Sequence, residues 1–157
     1  DGRVLDGPNA IAGEWGHNPL PWREPHEVEP DCYCGKRGCL ETYLSGPGLA
    51  AEHRRRLEVE SSAVAIAAAA PHDPGADETL QIYATRLARG LAHVINVLDP
   101  DVIVLGGGVS NIAALYERVP ALWHEWVFSD TVVTPLVCHH HGDSSGVRGA
   151  AWLWEKA

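Results

Sequence analysis

Apolar side chains recur at steps of three and four through Leu80, Tyr83, Ala84, Leu87, Leu91, Val94, Ile95 and Leu98. That spacing lays one apolar stripe along a helix. Asp77 is read as its cap and Asp99-Pro100 as its stop. A second pattern follows at once. Asp101 to Leu105 is a short, largely β-branched run that leads into Gly106, Gly107 and Gly108. Such a run predicts a strand buried on both faces, as in a parallel or mixed sheet.

The remaining elements are weaker but ordered. Residues 1–30 are rich in Gly, Pro and Asn and predict a short strand followed by a long ordered loop. Leu40 to Leu57 predicts helix, interrupted near Ser45-Gly46-Pro47, with Arg54, Arg55 and Arg56 on a solvated face. Ala63 to Ala70 is an alanine-rich helix ended around Pro71 and Pro74. A helix over about Ile112 to Val127 is broken or restarted by Pro120. A strand over Thr131 to Val137 follows, then a closing helix over Gly146 to Trp154 capped by Ser144 or Ser145. Helices alternating with strands give the α/β class.

Composition narrows the range of functions. The chain has 157 residues, enough for one domain, with 45% hydrophobic and 21% charged residues. Its formal net charge is -9, so a nucleic-acid or anionic-membrane partner is not expected of these residues. No run approaches the ~20 apolar residues of a membrane span, and no signal peptide is read, so a cytoplasmic setting is expected. Asp1-Gly2 is a favoured hairpin turn with a following strand but no preceding one, and the chain contains no methionine. Both features are read as those of a fragment.

Candidate chemistry concentrates in Cys32-Tyr33-Cys34-Gly35-Lys36-Arg37-Gly38-Cys39. Three thiolates on one glycine-turned loop converge on a single small cation and lack one ligand for a tetrahedral site. His17 is the nearest good candidate; His26 is closer in sequence but sits among Glu and Pro. A disulfide would leave one thiol over, and three thiolates with one imidazole select zinc. Cys138, beside His139, His140 and His141, is read as a buried core residue rather than as part of a second metal site.

At these residues the chain resembles the ROK (repressor, open reading frame, kinase) family. Gly13-Glu14-Trp15-Gly16-His17, followed by Cys32-x-Cys34-Gly35-x-x-Gly38-Cys39-Leu40-Glu41, is similar to its zinc-binding signature. Leu105 to Ser110 and Asp143 to Ala150 are similar to its later blocks. The resemblance implies the C-terminal lobe of an actin-like ATPase (ribonuclease H-like) fold, carrying a structural zinc loop, with sugar and ATP bound between two lobes. It divides the chain into a zinc and sugar loop over 9–41 and a nucleotide-side α/β part over 77–157, without the N-terminal lobe. It implies Glu14, His17 and Glu41 as sugar-binding residues and Cys32, Cys34, Cys39 and His17 as zinc ligands. Gly106, Gly107 and Gly108 would lie against the nucleotide, where glycines let a ligand approach the backbone and a following helix favours phosphate.

By the same resemblance the general-base aspartate belongs to the missing lobe, so no catalytic residue is assigned here, and Mg2+ and ATP belong to the two-lobed enzyme. The implied activity is phosphorylation of a hexose by ATP. His17-Asn18-Pro19-Leu20-Pro21-Trp22 is similar to the fructokinase and mannokinase branch, which points to fructose or mannose at O6. The isolated fragment is expected to be inactive. Two further readings are a sugar-responsive ROK repressor, whose DNA-binding module would precede these residues, and a stand-alone zinc module. Family members commonly pair, so a homodimer through the helical parts is a further expectation.

Overall fold

A computed structural model describes residues 4–5, 7–142 and 144–152. The Asp1-Gly2 turn, Asp143 and the end of the predicted closing helix lie outside the described residues, and Val4 and Leu5 are not in a strand. Among the described residues, six helices and two strands run in the order α1 (Leu40–Leu44), α2 (Gly46–Leu57), α3 (Ala63–Ala69), α4 (Pro74–Leu98), β1 (Ile103–Leu105), α5 (Leu115–Leu122), β2 (Leu136–Cys138) and α6 (Ser145–Trp152). Short 3-10 turns cover Glu14–His17, Gly108–Asn111 and Trp123–Glu125.

The break between α1 and α2 falls where the sequence puts it. Ser45 is the N-cap of α2, its Oγ accepting from the Gly48 N–H at 3.1 Å, with proline in the first turn. Ser62 caps α3 in the same way. On α4, however, the cap is Asp73 rather than Asp77. Its Oδ1 accepts from the N–H groups of Gly75 and Ala76, and Pro74 begins the helix. Proline fixes a helical φ and has no N–H to leave unpaired, so the helix begins one turn earlier than its apolar stripe. Asp77 lies in the first turn.

Helix α4 is the axis of the molecule. Leu80, Tyr83, Ala84, Leu87, Leu91 and Ile95 of the predicted stripe are buried, and so are Ala88, Gly90 and Ala92 on neighbouring faces. Val94 is half-buried and Leu98 lies in solvent. Helices α1, α2, α3 and α5 all pack on α4. Arg54 and Arg55 are exposed, but Arg56 is not a purely solvated residue. It turns inward, donating to Thr79 Oγ1 at 2.9 Å and pairing with Glu78.

Strands β1 and β2 are parallel, with Ile103 opposite Leu136 and Leu105 opposite Cys138. The connection between them runs through α5, as a parallel pair requires. Both strands are shorter than the sequence predicts, and Val104 is 56% exposed rather than buried on both faces. Among the described residues the sheet has two strands, too few to enclose a strand on both sides. The predicted helix over Ile112 to Val127 divides into α5 and the 3-10 turn at Trp123–Glu125, with Pro120 inside α5. Cys138, read as a core residue, is exposed at the end of β2, its Sγ 3.8 Å from the Ser110 carbonyl. Ser145 is the first residue of α6 and gives its hydroxyl proton to the Gly142 carbonyl.

Candidate functional site

The loop before α1 is built as a knuckle. The Cys32 N–H donates to Lys36 O at 2.9 Å and the Gly35 N–H to Cys32 O at 3.0 Å. Gly35 and Gly38 turn the chain at φ of 84° and 67°, a region that side chains oppose. The knuckle is then tied to the preceding segment. The Leu20 N–H donates to Gly38 O at 3.1 Å and the Leu40 N–H to Asn18 O at 2.8 Å. These bonds carry the 3-10 turn Glu14–His17 against the start of α1.

Four side chains meet there. One ligand atom each from His17, Cys32, Cys34 and Cys39 lies within 4.8 Å of the others. His17 Nδ1 is 3.6 Å from Cys32 Sγ, and Cys34 Sγ is 3.6 Å from Cys39 Sγ. All four cysteines are free thiols, and His26 is exposed and outside the group. The Cys34 thiol is lowered to about 7, first by a hydrogen bond from the Lys36 backbone. Cys39 is pushed up to about 12, first by burial and then by its neighbouring thiols. A negative charge is therefore more easily held at Cys34, whereas ionising Cys39 calls for a cation beside it. Three sulfurs and an imidazole nitrogen converging from a rigid turn are a donor set that fits tetrahedral zinc, with no open position for chemistry.

The opposite edge of His17 faces a different group. Nε2 lies 3.8 Å from a carboxylate oxygen of Glu14 and 3.8 Å from one of Glu41. Glu14 and Glu41 are largely open to solvent, whereas the imidazole is mostly covered. Glu41 sits in the first turn of α1, where the helix dipole favours a carboxylate. The three residues expected to contact sugar are thus brought together, with two carboxylate acceptors near one imidazole nitrogen. Tyr33 completes the group, its Oη 2.8 Å from His17 Nε2. Desolvation, and then the negative charge of Glu41, pushes the Tyr33 phenol upward.

The loop between His17 and Cys32 is held by an ion network that single residues do not announce. Buried Glu27 accepts from Arg86 Nε at 2.8 Å, from Arg89 Nη1 at 2.8 Å and from Arg89 Nη2 at 2.6 Å. Arg89 Nη1 also reaches the Trp22 carbonyl at 2.7 Å, and Arg86 Nη1 reaches Glu52 at 3.0 Å. Burial alone would push the Glu27 carboxyl up, but hydrogen bonds from Arg89, Arg86 and the Glu24 N–H outweigh it and hold it at about 2.

The glycines after β1 are not gathered with this group. Gly106, Gly107 and Gly108 are exposed, and a Cβ added at any of them would meet nothing within 4 Å. Gly108 lines a mainly apolar cavity of about 340 Å³ with Gly46, Pro47, Ala63, Val64, Val109 and Ile112; Gly106 and Gly107 do not line it. The element that follows is a four-residue 3-10 turn, Gly108–Asn111, so the expected helix N-terminus for a phosphate is missing. The open glycine backbone remains. Among the described residues His139, His140 and His141 form no metal cluster with Cys138.

Comparison with known proteins bears on both halves of this description. The sequence profile of the ROK family matches residues 1–157. An N-acetyl-D-glucosamine kinase of Vibrio parahaemolyticus serotype O3:K6 is 38% identical over 159 residues, covering 98% of this chain and 53% of that protein. The chain therefore spans about half the length of the curated relatives it matches. The solved ROK hexokinase of Thermus thermophilus superposes with a TM-score of 0.79 at 28% identity, over 97% of this chain and 50% of that one. A solved ROK family transcriptional regulator, a homologue of the Escherichia coli MLC protein, superposes with a TM-score of 0.69 at 29% identity, over 88% of this chain and 36% of that one. The fold is the expected α/β, actin-like ATPase kind.

Proposed function

The chain belongs to the ROK family, and from that premise we propose that it is the sugar-binding, C-terminal part of a two-lobed ATP-dependent sugar kinase. The observation that carries the reading is the two-sided placement of His17, with Nδ1 toward the cysteines and Nε2 toward Glu14 and Glu41. Cys32, Cys34, Cys39 and His17 would hold zinc, which when bound fixes the imidazole's tautomer and orientation. Glu14 and Glu41 then accept hydrogen bonds from two sugar hydroxyls, and Nε2–H donates to a third oxygen between them. In this reading residues 9–41 form the sugar side and 77–157 the nucleotide side. Gly108 and its apolar cavity would flank the base and ribose of ATP, with Gly106 and Gly107 giving backbone access. The general base, and most of the groups that hold Mg2+ and the phosphates, would come from the other lobe. This part contributes positioning.

The sugar is a hexose or an N-acetylhexosamine, phosphorylated at O6. The phrase His17 to Trp22 favours fructose or mannose, whereas the curated relatives act on N-acetyl-D-glucosamine. A phosphotransfer assay of the two-lobed protein with ATP and fructose, mannose, glucose and N-acetylglucosamine tests the reading. One of the four should be turned over with a kcat/KM at least tenfold above the rest, and the 157 residues alone should give no turnover. Failure with all four would sink the kinase reading.

The likeness to the ROK regulator supports a second reading, a sugar sensor whose DNA-binding module lies elsewhere. It keeps the same sugar site and predicts sugar-dependent release of DNA with no transfer from ATP.

A further inference from the structure

The imidazole edge that the sugar reading assigns to substrate is already in use. Tyr33 Oη is 2.8 Å from His17 Nε2, and the two rings meet edge to face, 5.0 Å apart at 84°. Tyr33 stands between two members of the cysteine cluster, so its backbone is fixed by the knuckle, with Cys32 N–H on Lys36 O and Gly35 N–H on Cys32 O. Its side chain is another matter. It is 83% exposed, and its contact with His17 is what holds it over the site.

The chemistry of that contact matches the chemistry of a sugar. With Nδ1 ligating the cation that the sulfur cluster would hold, Nε2 would carry the ring proton and donate. A phenol hydroxyl placed there accepts that hydrogen bond and has one proton of its own, beside the carboxylates of Glu14 and Glu41. A sugar hydroxyl has the same acceptor, the same single donor and the same two neighbours. Both cannot hold Nε2–H in the same direction.

We propose that Tyr33 is a gating residue of the sugar site, whose hydroxyl occupies the substrate hydroxyl's place on His17 and swings out when sugar enters. This rests on the sugar-binding reading of Glu14, His17 and Glu41. The swing exchanges one hydrogen bond for another and, for a side chain this exposed, disturbs no core packing. The gate therefore weakens sugar binding by about what one neutral hydrogen bond contributes net, roughly 2- to 10-fold. A tyrosine that instead supports His17 would have the opposite sign, because removing its hydroxyl would then loosen the imidazole and weaken binding.

Tyr33→Phe separates the two, since it keeps the ring and removes only the hydroxyl. The dissociation constant of the sugar that the wild type turns over is measured by calorimetry on the two-lobed, metal-loaded protein, with metal content determined beside it. Binding should tighten roughly 2- to 10-fold at unchanged metal content, and KM should fall by a similar factor. Unchanged or weaker binding overturns the gate. In a second measurement without sugar, the His17 Nε2 proton, followed by nuclear magnetic resonance, should exchange with solvent faster in Tyr33→Phe than in the wild type; equal rates also overturn it. A wild type that binds none of the four sugars defeats the sugar-site reading itself, and the gate with it, whereas a wild type that binds sugar while the variant binds no tighter defeats the gate alone.

Discussion

At Glu27 one carboxylate pairs with two buried arginines at once, Arg86 being shared with Glu52, and its removal exposes what the loop before Cys32 depends on. Replacing a buried ion partner leaves the remaining charges uncompensated, at a cost of about 3–5 kcal/mol. Glu27→Ala should therefore lower the urea midpoint well beyond what an exposed Glu24→Ala does. The pH dependence has a definite sign. The folded carboxyl is held at about 2 against an ordinary value of 4.5, so its contribution is present above 4.5 and lost as pH falls from there toward 2. The gap between wild type and Glu27→Ala, measured by urea unfolding, should narrow over that window. A gap that stays constant from pH 6 to pH 3 would show that Glu27 is not ion-paired in the folded protein.

Among the elements, α4 meets the site at Gly90. A Cβ there would lie 2.8 Å from Trp15 Cζ2, 3.2 Å from Leu40 Cδ2 and 3.4 Å from Leu44 Cδ1. Trp15 belongs to the turn that carries Glu14 and His17, and Leu40 begins the helix that carries Glu41. Alanine gains about 1 kcal/mol of helix propensity over glycine, but overpacking costs about 1–3 kcal/mol. Gly90→Ala should be net destabilising in thermal unfolding and should weaken metal retention in competition with a chelator, because the turn it pushes holds His17. A variant more stable than wild type would mean that Trp15 has room to move. The elements also show what the sequence discloses. Helices α1 to α4 are legible because Ser45-Gly46-Pro47, Pro71, Pro74 and Asp99-Pro100 punctuate the run of helix-forming residues. The Asp73 cap is hidden because it precedes the apolar stripe. The strands are misjudged in length and burial because enclosure depends on neighbours that a local run does not contain, and Cys138 is misjudged for the same reason. The gathering of His17 with Cys32, Cys34 and Cys39 is legible because the three cysteines lie in one turn. Glu27 escapes notice because Arg86 and Arg89 lie 59 and 62 positions away, and Tyr33 because its partner is 16 positions back.

Over the whole molecule, a helical core around α4 is coupled to a loop with little apolar mass of its own. The buried cluster near the site consists of Leu20, Leu40 and Tyr43, with Trp15 and Leu44 packed against it. Three closely placed thiols and an imidazole would have to be ionised or oriented at a cost that this small cluster does not offset. A cation that binds only the folded loop contributes stability by mass action, about 4 kcal/mol at a thousandfold excess over its dissociation constant. Metal removal should therefore act on the loop first and leave the α4 core standing. Mass spectrometry of the purified chain should find about one zinc, with Cys32, Cys34 and Cys39 protected from a thiol reagent while exposed Cys138 reacts. After chelation all four thiols should react, and hydrogen exchange should rise through residues 14–39 while the interior of α4 stays protected. If the protein instead carries no metal and its cysteines react freely from the start, His17 has nothing to fix its tautomer, and the proposed sugar site loses its support. If chelation melts α4 as well, the loop and the core are one cooperative unit, and the metal holds the domain together rather than the site alone.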